Sequence, residues 1–108
     1  MTEADPQLPS LGLWLDLHTV SAPEALRARV QQYTGAVAGR TDIPSALADA
    51  AHAALQRVLV HPGDRSVALD LLAADALVTL ALLAQAETAP AGLELFAERL
   101  LRMHLPPR

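Results

Sequence analysis

The stretch Ser66–Ala86, SVALDLLAADALVTLALLAQA, is the longest apolar run in the chain and its strongest helix signal. At about 100° per residue, two leucine-rich faces lie on opposite sides of the predicted helix. One face carries Val67, Leu71, Val78 and Leu82, and the other carries Leu69, Leu72, Ala76, Leu80 and Leu83. Asp70 lies on one flank between the faces, and Asp75 and Thr79 lie on the other. Because a helix that is apolar nearly all round is a buried helix, the run predicts a two-faced central helix at about 65–87, covered within a bundle or in a dimer.

A membrane-spanning role is the alternative for this run, whose length is close to the roughly 20 apolar residues that a spanning helix needs. Asp70 and Asp75 would then each cost about 2.5–3.5 kcal/mol near the bilayer centre. Much of the rest is alanine, and no basic cluster or aromatic belt flanks the run. We therefore expect no membrane partner.

The composition bounds the class of protein. The 108 residues suffice for one core, and the hydrophobic content of 52% excludes a disordered chain. A formal net charge of −4 argues against non-specific nucleic-acid binding, which needs a basic surface. The absence of cysteine excludes disulfides, thiolate nucleophiles and cysteine metal sites. The N-terminal sequence MTEADPQLPS lacks the basic region of a secretory signal, so we expect a cytoplasmic location.

The chain divides into three predicted parts. Residues 1–9, with two prolines and two acids, are predicted to form a flexible acidic tail. Residues 10–105 are predicted to form a single helical-bundle domain. Residues 106–108 form a short tail because Pro106 and Pro107 end regular structure.

Residues 11–20 carry an ambiguous pattern. The leucines alternate as in a strand, whereas helical spacing puts Leu11, Trp14 and His18 on one face. Ser10 can cap such a helix, and a lone strand would have no partner in this chain. We therefore favour a short helix, with a strand or a swapped arm left open. Trp14, the only tryptophan, either anchors this segment or forms an interface hot spot.

Capping residues mark the starts of four further helices. They are Ser21 with Glu24 in a capping box, Thr41 or Asp42, Asp64, and Thr88 followed by Pro90. These helices are predicted to end near Gly39, Val60, Ala86 and His104. Because the loops are short, neighbouring helices should run antiparallel. The predicted fold is an all-α, compact bundle of four to five antiparallel helices, completed by dimerisation.

The helix before the central one is rich in alanine. Ala48, Ala50 and Ala53 keep its girth small, which allows another helix to approach closely. Its predicted buried side is Leu47, Ala51, Ala54, Leu55, Val58 and Leu59.

No pattern in the sequence fixes a chemistry. The histidines, His18, His52, His61 and His104, are scattered, and none has the spacing by which helical bundles bind metals. No phosphate loop, nucleophile elbow or dinucleotide fingerprint occurs. We therefore predict no metal site and no cofactor.

Asp70 and Asp75 are the sharpest polar candidates. They lie about 140° apart around the helix, so the two carboxylates cannot share one site. Each is expected to reach solvent or an arginine, such as Arg27, Arg57 or Arg65. Asp75, with Thr79 one turn later, is the stronger functional candidate.

Three functions remain open. We favour a non-catalytic protein-interaction or oligomerisation module, a homodimer or a binder of another protein, because a small domain has difficulty covering a two-faced helix. Its predicted interface is Trp14, Leu69, Leu72, Ala76, Leu80 and Leu83. The alternative is a carrier or sensor of an apolar small molecule bound between helices, with Trp14, Tyr33, Asp75 and Thr79 as its polar groups. A small enzyme with an Asp75-centred site is the third.

Overall fold

The structure is a computed structural model that describes residues 10–61 and 63–104, with the side chain of His104 left out. Its five helices are α1 (Leu11–His18), α2 (Glu24–Gly35), α3 (Ile43–Val60), α4 (Arg65–Thr88) and α5 (Leu93–His104), with a 3₁₀ turn at Pro90–Gly92. Within the described residues there is no strand, and the helices pack compactly, so the all-α prediction is confirmed. The tails predicted at residues 1–9 and 106–108 lie outside the described residues.

Side-chain caps begin three of the helices as the sequence predicts. The Ser10 side chain accepts a hydrogen bond from the Leu13 amide at 3.1 Å. The Asp64 carboxylate accepts one from the Val67 amide at 3.0 Å. In the same way Asp42 caps α3. Such caps satisfy backbone amides that the first turn of a helix leaves without a partner.

The predicted capping box and the predicted Thr88 cap are both wrong. Helix α2 begins at Glu24 with no side-chain cap, because the chain first turns through a hydrogen bond from the Ala22 amide to the Thr19 carbonyl. Thr88 instead closes α4, where its hydroxyl donates to the Ala84 carbonyl. Helix α2 also ends at Gly35 rather than Gly39, since tighter i→i+3 hydrogen bonds follow it.

Small residues join α3 to α4, the most extensive helix pair among the described residues. The buried side of α3 includes Ala46, Leu47, Ala50, Ala51 and Ala54. The buried side of α4 is Asp70, Ala73, Ala74, Leu77, Leu80, Ala81 and Ala84. Alanine side chains let two backbones approach closely. Of the three alanines predicted to allow this, Ala48 and Ala50 are buried, whereas Ala53 is exposed. Helix α4 therefore turns the flank that carries Asp70 into the core.

Neither leucine-rich face of α4 points straight into the core. On the first face Val67, Val78 and Leu82 are half-buried and Leu71 is exposed. On the second face Leu80 is buried, Leu69 and Ala76 are half-buried, and Leu72 and Leu83 are exposed. On α3, Leu59 was predicted to be buried but is 67% exposed, because it lies in the last turn of the helix, beyond the buried alanines.

The outer helices close the core from two sides. Helix α5 contributes Phe96 and Leu100, and α1 contributes Leu11, Trp14 and Leu15, all of them buried. Residues 11–18 are thus helical, which settles the ambiguity of that segment in favour of a helix. By length and composition alone α4 is apolar enough to cross a membrane, a weak indication because core helices of soluble proteins meet the same criterion.

Candidate functional site

A polar cluster lies where α2, α3 and α4 meet, and its centre is Asp70. Helix α2 supplies Arg29 and Tyr33, which are four residues apart and therefore project from the same side of the helix. Helix α3 supplies Arg57 from its last turn. These three residues lie on other helices than Asp70, so the packing of α2, α3 and α4 brings the cluster together.

Hydrogen bonds and charge hold the Asp70 carboxylate from both sides. Arg29 Nη1 donates to Asp70 Oδ1 at 2.6 Å, and the Tyr33 hydroxyl donates to the same oxygen at 2.8 Å. Arg57 Nε lies 3.6 Å from Asp70 Oδ2, an ion pair without a hydrogen bond. Asp70 is only 1% exposed. Of the two alternatives expected for Asp70, solvent or an arginine, the structure shows the second, with Arg57 as one of the expected arginines and Arg29 as an additional one.

The pKa values of the cluster follow from this arrangement. Burial opposes ionisation of Asp70, but the hydrogen bonds from Tyr33 and Arg29 and the charges of Arg29 and Arg57 together outweigh it, so the pKa of Asp70 is lowered. Burial, the hydrogen bond to Asp70 and the negative charge of Asp70 raise the pKa of Tyr33 to about 12. At neutral pH the cluster therefore holds one carboxylate, two guanidinium groups and a neutral phenol.

Beside this cluster is a hollow of about 280 Å³, the polar hollow, lined by Arg29, Gln32, Tyr33, Arg57, Ser66 and Asp70. Asp70 Oδ2 is buried and accepts no hydrogen bond. Ser66 belongs to the first turn of α4, whose amide groups carry the positive end of the helix dipole. The hollow thus combines several donors with one carboxylate oxygen that lacks a donor.

A second feature of α4 is apolar. A groove of about 540 Å³, the α4–α5 groove, lies between α3, α4 and α5. It is lined by Leu55, Leu71, Ala74, Asp75, Val78, Leu82, Ala97, Leu100 and Leu101, among which Asp75 carries the only charge. Next to it, the outer face of α4, defined as Leu71, Leu72, Asp75, Thr79 and Leu83, is exposed along its length.

A third cluster attaches α1 to the end of α4. Glu87 accepts hydrogen bonds from Trp14 Nε1 through Oε1 and contacts His18 Nε2 through Oε2, each at 3.1 Å. His18 Nδ1 lies 2.8 Å from the Trp14 carbonyl, and its ring stacks on the indole with centroids 3.9 Å apart. Both partners of the imidazole, the Trp14 carbonyl and the Glu87 carboxylate, are hydrogen-bond acceptors. The bonds from Trp14 and His18 lower the pKa of Glu87.

The structure does not bring the four predicted ligand-binding residues into one cavity. Trp14 of α1 is buried against Glu87, and Tyr33 lines the polar hollow. Asp75 and Thr79 line a separate hollow of about 450 Å³ between α4 and the α1–α2 turn, together with His18. The carboxylate of Asp75 makes no hydrogen bond or ion pair with any described residue, so no observed geometry favours an Asp75-centred enzyme.

The predicted interface residues fall into two groups. Leu72 and Leu83 are exposed, and Leu69 and Ala76 are half-buried on the same side of α4. Trp14 and Leu80 are buried within the chain itself. The first group is accessible to a partner, whereas Trp14 and Leu80 pack within the chain and are not available as interface contacts.

Sequence reasoning missed Arg29, Gln32 and Glu87. A signal for Arg29 was present in the sequence. Arg29 and Tyr33 lie four residues apart on one side of α2, and an aspartate on an apolar helix needs such hydrogen-bond donors as partners. Arg29 looked like part of a solvated face because most of its helix is polar. Among the described residues no group of three or more histidine, aspartate or glutamate side chains is arranged to hold a metal ion.

Comparison of the chain with protein-family models, with curated proteins and with solved structures finds no match. The polar hollow, the α4–α5 groove and the outer face of α4 are therefore the features from which a function can be inferred.

Proposed function

We propose that this protein is a non-catalytic helical oligomerisation module that forms a homodimer through the outer face of α4 and the adjoining α4–α5 groove. The observation that carries the proposal is the exposure of large aliphatic side chains there. Four leucines on this surface are each at least 40% exposed: Leu71, Leu72, Leu83 and Leu101. Clusters of exposed apolar side chains mark interaction surfaces, whereas single exposed leucines are ordinary.

The shape of the surface favours a second copy of the chain as the partner. The outer face of α4 is a ridge, and the α4–α5 groove is a depression beside it with walls of leucine, valine and alanine. In a twofold dimer each protomer presents the same patch, so the ridge of one copy can lie in the groove of the other. An aliphatic surface of this kind resembles a protein core cut in half, as in permanent dimers.

The proposal also covers the direction of the helices, the extent of the domain, its location and its partners. Neighbouring helices run antiparallel, and residues 10–105 act as one domain. The module works in the cytoplasm without a nucleic-acid or membrane partner, in keeping with a net charge of −4. Another protein in place of the second copy is the nearest competing partner.

Sedimentation equilibrium of the purified protein tests the proposal directly. The wild-type chain should be a dimer at micromolar concentration. The double variant Leu72→Glu/Leu83→Glu should be a monomer with an unchanged helical circular-dichroism spectrum, because two charges then enter the apolar contact. The matched control is Leu95→Glu, the same substitution at a leucine on α5 that is 67% exposed and lies on the side of the helix away from Ala97 and Leu101. A wild-type monomer, or equal effects of the two changes, would contradict the proposal.

Asp75 distinguishes a second copy from a different protein. It is the one charged residue in the groove, so a twofold dimer places two copies of it on the same contact surface. Like charges on an interface oppose association. Asp75→Asn should therefore strengthen the homodimer several-fold, whereas weakening of the dimer would show that Asp75 has a favourable partner across the interface.

The α4–α5 groove also favours a second function, the carriage of an apolar small molecule. Its volume of about 540 Å³ lies within the range of about 300–1,000 Å³ that is usual for ligand pockets. Native mass spectrometry separates the two functions, because a carrier shows a monomer with added mass and the proposed module shows a clean dimer. Ala97→Trp, which fills the groove from α5, should remove an added mass that resides there.

A further inference from the structure

The polar hollow holds an acceptor that the protein does not satisfy. Asp70 Oδ1 receives both hydrogen bonds to this carboxylate, from Arg29 and Tyr33, while Asp70 Oδ2 is buried and receives none. A buried polar atom without a partner is costly, and nearly all such atoms in folded proteins are satisfied by protein, water or a ligand. The hollow in front of Asp70 is polar, so a donor group of a bound molecule fits there.

The rest of the hollow is suited to an anion. Two guanidinium groups and one carboxylate leave a formal charge of +1, so one negative group balances it. Arg57 is 59% exposed and, beside its contact to Asp70, has further N–H groups with which to bind a carboxylate. Gln32 of α2 and Ser66 of α4, which also line the hollow, carry further donors in an amide and a hydroxyl group.

From these two features we propose that the polar hollow binds a small carboxylate that carries a hydroxyl or ammonium group on the neighbouring carbon. The carboxylate pairs with Arg57, and the neighbouring donor bonds to Asp70 Oδ2. The 3.6 Å separation between Arg57 Nε and Asp70 Oδ2 requires the two groups of the ligand to be adjacent. The volume of about 280 Å³ limits the ligand to a small molecule. This site is independent of the dimer surface, which lies on the opposite flank of α4.

A phosphate group is the competing anion, since two arginines and a helix N-terminus also suit it. Asp70 argues against it. A doubly charged phosphate would approach a buried, ionised carboxylate oxygen, and like charges repel strongly where water is excluded. A single carboxylate that brings its own donor avoids that repulsion.

Isothermal titration calorimetry with four probes tests the site: lactate, alanine, propionate and inorganic phosphate. Propionate has the shape of lactate without the hydroxyl, so it leaves Asp70 Oδ2 unsatisfied. We expect lactate or alanine to bind at least about tenfold more tightly than propionate, which corresponds to about 1.4 kcal/mol. Tighter binding of lactate assigns the donor as a hydroxyl, and tighter binding of alanine assigns it as an ammonium group. The site is refuted if propionate binds equally well, if phosphate binds most tightly, or if nothing binds.

A pair of arginine variants places the binding in the hollow. Arg57→Gln removes the charge from a side chain that is largely exposed, so the fold should survive, and the affinity for the preferred probe should fall at least about tenfold. Arg102→Gln changes an exposed arginine of α5 that contacts Glu98, and should leave the affinity unchanged. Tyr33 is the only tyrosine, and its ring NMR signals should shift on binding because Tyr33 lines the hollow. Equal effects of the two substitutions, or unmoved Tyr33 signals, would overturn the assignment.

Discussion

Two neighbouring parts of α4 reverse the usual placement of polar and apolar residues. Asp70 is 1% exposed, whereas the next two residues, Leu71 and Leu72, are 51% and 56% exposed. A charged side chain thus points into the core while two leucines point toward water. Buried charges are rare unless they are paired, and here Arg29, Arg57 and Tyr33 supply the pairing.

Side-chain size, and not hydrophobicity alone, accounts for the orientation of α4, because its buried flank combines Leu77 with several alanines. The flank that faces α3 carries Ala73, Ala81 and Ala84, which allow the backbones to approach closely, whereas either leucine face would hold the helices apart. Asp70 lies on the same flank, so it is carried into the core and needs its partners there. The leucines are then left on the sides and on the outer face of the helix.

The largest test of this contrast is Asp70→Ala. It removes the acceptor from Arg29 and Tyr33 and leaves two cations beside each other. Breaking a buried ion pair costs about 3–5 kcal/mol, and we expect about 3 kcal/mol because both arginines reach solvent. Urea unfolding measures the loss. Asp16→Ala, at an exposed aspartate of α1 that belongs neither to the outer face of α4 nor to the α4–α5 groove, is the control and should change the unfolding free energy by less than about 0.5 kcal/mol.

A second test compares a leucine added in the buried α3–α4 contact with a leucine removed from an exposed position. Ala73→Leu forces extra volume into the α3–α4 contact and should lower the unfolding free energy by about 2 kcal/mol, within the usual cost of overpacking. Leu59→Ala removes a leucine that is 67% exposed and should be nearly neutral. Thermal and urea unfolding of both variants measure the effects. If Ala73→Leu is neutral, the close approach of α3 and α4 is not what orients α4.

These residues also show how far the sequence leads. Apolar periodicity and the caps Ser10, Asp42 and Asp64 were enough to predict an all-helical chain and most helix bounds, because both signals are local. The rotation of α4 was not predictable, since it depends on which alanines of α3 face it. For the same reason the sequence favoured Asp75 over Asp70 as a functional candidate. The partners of Asp70 lie 41 and 37 residues away on α2, and no local pattern connects them to it.

Acid should weaken the buried cluster more than the apolar surface. The pKa of Asp70 is lowered from its ordinary value of 3.8 in the folded chain, so below 3.8 the unfolded chain takes up the proton first. The stability that Asp70 contributes is therefore complete above 3.8 and is lost as the pH falls through the folded-state pKa. Urea unfolding over a pH series should show a steeper acid loss for wild type than for Asp70→Asn. An equal acid loss in the two proteins would contradict the assignment of this pH dependence to Asp70.

The smallest expected effect is spectroscopic and reports on the cluster alone. Tyr33 is the only tyrosine, and its pKa is raised to about 12 by burial, by the hydrogen bond to Asp70 and by the charge of Asp70. An alkaline titration followed by tyrosinate absorbance should therefore show ionisation well above the ordinary value of 10.0. Asp70→Asn removes the charge and should lower the Tyr33 pKa toward 10.0, whereas Leu72→Asn, on the exposed side of the same helix, should leave it unchanged. Ionisation of wild-type Tyr33 at its ordinary pKa would mean that the hydroxyl does not donate to Asp70 in solution.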